Sequence, residues 1–211
     1  MASLKDPLSG LLHLIGASLA IPATALLIFF GADSVWKIVS FSIYGLSFLL
    51  LFTFSTLYHW LPARAGGKHQ VFRKFDHLAI YAFIAGTYTP FCLVSLHGTL
   101  GWILFCATWG LAITGITLQS IFIDAPRWLT TSIYILMSWM IIFAIKPITS
   151  VLPSNAVLLM IIGGIIYSLG GVVYTIKKPN LFKWFDYHDL WHVMVLLGAG
   201  FHYFAILLYL T

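Results

Sequence analysis

Apolar positions along this chain fall in long blocks, not in the short alternation of a half-buried strand or the striping of a surface helix. Blocks near 20 residues, about the length that carries a helix across a bilayer core, are separated by brief stretches of Gly, Pro, Asn, Asp, Lys and Arg. They lie at roughly 8–31, 37–60, 76–97, 99–119, 128–146, 154–176 and 187–210. The pattern predicts an all-α membrane protein, a seven-helix bundle forming a single transmembrane domain over residues 1–211. Punctuation supports it. Pro62–Lys68 predicts one turn and His97–Gly98 a tighter one. Pro126 and Pro153 suit helix starts, and Lys178-Pro179-Asn180 a helix end. Gly163, Gly164, Gly170 and Gly171 mark the sixth run as a close-packing helix.

With 61% apolar and 8% charged residues and a mean hydropathy of +0.98, a soluble globular domain is excluded, because about a quarter of its residues would be charged. The net charge of +5 does not point to nucleic acid, since its distribution has another reason. Alternate connections place Lys5, Arg64, Lys68, Arg73, Lys74, Arg127, Lys177, Lys178 and Lys183 on one side, against Lys37 and Lys146 on the other. By the positive-inside bias the N-terminus is cytoplasmic and the C-terminus outside. Trp36, Trp60, Trp102, Trp128 and Trp184 fall near helix ends, where interfacial anchors belong. The first run is too long for a signal peptide and lacks a convincing cleavage site. Cys92 and Cys106 form no C-x-x-C motif and read as buried packing residues, without a disulfide.

Against this background the ionisable residues inside the runs stand out, because hydrocarbon offers them no water. His59 ends the second run, Asp76 begins the third, and His188 and His192 begin the seventh. With alternating helix directions all four share one membrane depth, near the cytoplasmic face. His188 and His192 are four residues apart and so lie on one helical face, as do Ser55 and His59. An i,i+4 histidine pair grips a single ion, and a third imidazole from another helix completes three ligands for Zn2+ with a fourth position open. His13, His69, His77 and His97 read as interfacial. Asp186 and Asp189 suit the positive end of a helix. His202, about 15 Å beyond His192 along its helix, cannot share the ion and reads as a buried hydrogen-bonded residue.

Ser55-x-x-x-His59, Phe75-Asp76-His77 with Ala85-Gly86-Thr87-Tyr88-Thr89-Pro90 downstream, and His188-x-x-x-His192 resemble the motifs of the hemolysin III family. That family is the bacterial branch of the progestin and adipoQ receptors, which include the adiponectin receptors. The resemblance covers essentially the whole chain. It implies zinc held by His59, His188 and His192, with Asp76 beside the metal's water and Ser55 part of the site. Because the wider superfamily contains alkaline ceramidases, it also implies hydrolysis of a lipid amide or ester and a role in membrane lipid homeostasis. The implied partner is a membrane lipid or fatty-acyl substrate, and the implied location a bacterial inner membrane.

Two rival readings follow from the same residues. In a lipid or membrane-state sensor the zinc is structural, joining the second and seventh helices, and Asp76 closes the site as a fourth ligand. A pore-forming, cytolytic protein is suggested by the family name alone, and no helix carries a continuous polar stripe. A stack of two haems needs histidine pairs on two helices, and the second helix has only His59.

Overall fold

All seven apolar runs are helical in the computed structural model, which describes residues 6–61 and 67–211. The helices are α1 (Pro7–Phe30), α2 (Val35–Trp60), α3 (Gly67–Pro90), α4 (Gly98–Ile121), α5 (Arg127–Ser138), α6 (Ile145–Val151), α7 (Ser154–Ile176) and α8 (Tyr187–Tyr209). Among the described residues seven spans are long and apolar enough to cross a bilayer, α5 and α6 together making the fifth. Outward faces carry Phe29, Leu136 and Phe143 at 74%, 71% and 85% exposure, a surface suited to lipid.

Two spans depart from the expected form, each for a local reason. The third begins at Gly67, nine residues earlier than hydropathy alone suggests, so Asp76 sits in the third helical turn and not the first. Nothing between Gly67 and Asp76 breaks a helix, and backbone hydrogen bonding continues whether or not the side chains are apolar. Arg73 anchors this extension by donating to the Asp124 carboxylate at 2.8 Å. Of the turn expected at Pro62–Lys68, residues 62–66 lie outside the described residues, while Gly67 and Lys68 already belong to α3. At the other end, Pro90 has no N–H for the carbonyl four residues back, and the chain widens into a π-helical stretch over Phe91–Leu96.

The fifth span runs on to Val151 and is broken. Met140–Ala144 form a tight 3₁₀ segment between α5 and α6. Pro147 lacks the N–H that would bond the Phe143 carbonyl in a continuous α-helix. The break instead leaves Pro147 in the first turn of α6, where that donor is not needed.

His97 and Gly98 make the tight turn before α4, with φ of 38° and 69°. Close approaches inside the bundle rest on missing side chains, as expected for the sixth run. A Cβ on Gly163 would overlap the His202 ring, and one on Gly171 would press on Thr131 and Ile135. Cys92 is buried, but Cys106 faces outward from α4 and is not a core residue; both thiols are free.

Contacts run α1 to α2, α2 to α3, α3 to α5, α5 to α7, α7 to α8 and α8 back to α1, closing a ring, while α4 packs mainly on α3. The third span is 67% buried, against 28–50% for the others, so it forms the wall between the ring's interior and α4. That interior holds the site.

Candidate metal centre

The site starts from two helix ends. His59 is the penultimate residue of α2. His188 and His192 lie in the first two turns of α8, whose start is fixed by a reciprocal cap. The Asp186 carboxylate accepts the backbone N–H groups of His188 at 2.7 Å and Asp189 at 3.2 Å, and the Asp189 carboxylate accepts the Asp186 N–H at 3.2 Å. Such a box satisfies orphan donors at the helix start, and here it sets the rotation of α8 and hence the face presented by both histidines.

On that face the three imidazoles converge. His188 Nε2 is 3.4 Å from His59 Nε2 and 3.1 Å from His192 Nε2. One ligand atom from each of the three lies within 4.8 Å of the others. Tetrahedral zinc with bonds of 2.0–2.1 Å separates its nitrogen ligands by about 3.3–3.4 Å, which matches the closest pairs. The protons argue the same way. A neutral imidazole has one donor and one acceptor nitrogen. His59 Nδ1 stands 3.1 Å from the Asp6 carboxylate, which only accepts, so the proton belongs on Nδ1 and Nε2 presents a lone pair. Three such nitrogens facing one another lack the protons to satisfy all their lone pairs; a cation satisfies them together. The donor set fits a metal ion, and neutral nitrogen ligands suit zinc.

Ser55 lies one helical turn before His59, 1% exposed, and its Oγ has no hydrogen-bond partner among the described residues. Asp76 comes from α3 with a side chain 15% exposed, 3.8 Å from His77 Nδ1. Among the described residues no hydrogen bond engages its carboxylate, because His77 Nδ1 instead donates to the Arg73 carbonyl at 2.8 Å. Ser55, His59, Asp76, His188 and His192 all line one cavity of about 700 Å³.

That cavity extends far beyond the histidines. Val157, Met160, Gly164, Tyr167, Gly171 and Tyr174 line it along one face of α7, a length of about 25 Å at 1.5 Å per residue. Residues of α2, α3, α5 and α8 line it as well, so it forms a channel through the interior of the ring. His202, half-buried, lines it too and donates from Nδ1 to the Gly198 carbonyl at 2.8 Å, apart from the three converging histidines.

A family model described as haemolysin-III related matches residues 1–203. The chain belongs to the haemolysin-III family. Among curated family relatives, a hemolysin-3 homolog of Bacillus subtilis (strain 168) is 40% identical, covering 99% of this chain and 96% of its own. Hemolysin-3 of Bacillus cereus is 40% identical over 93% and 88% of the two chains. A more distant likeness reaches the human monocyte to macrophage differentiation factor, 27% identical over 85% and 74%. With its seven spans, this haemolysin-III chain is an integral membrane protein.

One neighbour of the site contradicts the sequence reading. His13 is not interfacial; it is 3% exposed, with Nε2 only 2.6 Å from His192 Nδ1. His69, in the first turn of α3, is 8% exposed beside the Tyr58 ring. Asp6 and Ser9, which carried no functional expectation, reach His59 and Asp189 respectively. The signal was present: Asp6, Ser9 and His13 sit at i, i+3 and i+7, a polar edge on an otherwise apolar helix.

Proposed function

We propose that the chain is a zinc-dependent hydrolase of lipid amide or ester bonds, serving membrane lipid homeostasis in a bacterial inner membrane, with its site near the cytoplasmic face. What carries this reading is the joint lining of one cavity: a three-histidine group, the Asp76 carboxylate and a buried serine without a hydrogen-bond partner among the described residues, and a channel between helices that extends beyond them. A structural site would need no such channel.

Zinc, when bound, makes water nucleophilic near neutral pH and polarises a carbonyl. The protein groups divide the remaining work. Asp76, on a helix that supplies no ligand, is placed to accept the proton of the attacking water and to return it to the departing amine or alcohol. Ser55 Oγ–H is placed to donate to the acyl oxygen, whose charge grows as water adds. The channel along α7 takes the acyl chain and fixes its carbonyl end beside the histidines, trading disordered approach for a held geometry.

Blocking the channel far from the histidines tests the substrate class. Val157→Trp is expected to lower hydrolysis of a long-chain ceramide about tenfold, equivalent to roughly 1.4 kcal/mol, while zinc content stays at the wild-type level. Mass spectrometry of released fatty acid reads the first and metal analysis the second. Equal turnover of long-chain substrate by variant and wild type would remove the channel from the reaction.

The side of the membrane follows from the nine-to-two distribution of basic residues. Reporter fusions should put the N-terminus and the 61–75 segment in the cytoplasm and the C-terminus outside. A cytoplasmic C-terminus would move the site's assignment to the other face or remove one span.

A further inference from the structure

Helix α1 supplies none of the three histidines, yet one face of it touches both helices that do. Asp6 Oδ2 is 3.1 Å from His59 Nδ1, and the Asp6 backbone N–H also donates to the His59 carbonyl at 3.0 Å. Ser9 Oγ donates to Asp189 Oδ1 at 2.7 Å, gripping the carboxylate that caps α8. His13 Nε2 lies 2.6 Å from His192 Nδ1, its ring held edge-on between His192 and Phe52 at centroid distances of 3.8 and 4.7 Å.

The chemistry of imidazole gives these contacts a common purpose. A neutral histidine that offers Nε2 to an ion carries its proton on Nδ1, and the acceptor met by that N–H decides both tautomer and ring rotation. Asp6 is such an acceptor for His59, and His13 for His192. Acting this way, His13 must keep its own proton on Nδ1, and that atom is buried without a hydrogen-bond partner among the described residues. An unpaired buried N–H is unfavourable, so apolar packing alone would be better served by leucine at this position.

We propose that α1 is the positioning arm of the metal centre, with Asp6 and His13 holding His59 and His192 as Nδ1–H tautomers whose Nε2 atoms face the ion. Both are positioning residues, acting on the ion through the Nδ1–H of His59 and His192. The proposal rests on reading His59, His188 and His192 as ligands. Ser9 contributes by locking α1 to the capped start of α8.

The test uses full-length protein in detergent micelles, with zinc affinity measured by chelator competition and geometry by the visible absorption of the cobalt(II)-loaded form. His13→Leu is expected to weaken zinc about 10–100-fold and to shift the cobalt bands. His13→Gln should bind within about threefold of wild type, because its amide oxygen can accept the same N–H. Asp6→Ala should weaken zinc over a similar range, and Asp6→Asn should recover part of it. Thermal midpoints of the metal-stripped variants should match stripped wild type, since the loss acts through the ion. If His13→Leu fails to fold, the two Asp6 variants carry the same comparison from the more exposed end of the arm. Zinc affinity unchanged in His13→Leu and Asp6→Ala would overturn the proposal while leaving the ligands intact. So would His13→Gln falling as far as His13→Leu. A wild-type protein that binds no zinc would overturn the ligand reading and this one with it.

Discussion

Alanine at His188 is expected to strip the purified protein of its zinc. Wild type should carry about one ion per chain, and His188→Ala should lose affinity on the order of 100-fold or more. His188 Nε2 lies 3.1 and 3.4 Å from those of His192 and His59, so its removal leaves two of the three converging nitrogens. His59→Ala and His192→Ala should behave alike. His202→Ala, about 15 Å further along the same helix, should retain zinc in full and serves as the control for another cavity-lining histidine lost from α8. Metal analysis after dialysis against a weak chelator reads all four. Full occupancy in His188→Ala would mean that the three rings do not share an ion.

Asp76→Asn should separate holding the metal from using it. Asparagine keeps the shape of the side chain but has no basic oxygen to take a proton. The variant is therefore expected to retain measurable zinc, with at most about a 10–100-fold loss of affinity, and to release no fatty acid from lipid amides that wild type cleaves. Matched micelles, a panel including ceramides, and mass spectrometry of the free acid make the comparison. If wild type with full zinc cleaves nothing in the panel, or if Asp76→Asn cleaves as well as wild type, the sensor reading takes over. A complete loss of zinc in Asp76→Asn would instead make the carboxylate a ligand.

The seven spans could be read from the chain because the bilayer imposes a length that hydropathy records directly. Their edges were harder. Hydropathy reports where side chains would leave lipid, not where backbone hydrogen bonding stops, and at Gly67–Phe75 the two differ by more than two turns. The break in the fifth span follows from Pro147, but a proline near the end of an apolar run reads equally as a late kink or a stop. His59, His188 and His192 could be picked out because two share a face locally and the third shares their depth. His13 had no such local partner. Its counterpart is 179 residues away, and only the return of α8 against α1 brings them together. The same distance hid the contact between Ser9 and Asp189, while the place of Asp186 and Asp189 at the start of α8 was local and therefore visible.

The order in which the three histidines enter the chain has a consequence for biosynthesis. His59 and His192 are separated by 133 positions, so at 5–20 residues per second a ribosome delivers the last imidazole about 7–27 s after the first. Throughout that interval His59 has been made but the three-histidine group is incomplete. Asp6, synthesised earlier and already on the neighbouring helix, can occupy its Nδ1 from the moment the first two spans pair. On the proposed ligand set, metal loading would be a post-translational event that waits for the final span to insert. A nascent chain stalled before that point would hold a satisfied histidine rather than a half-built, metal-scavenging one.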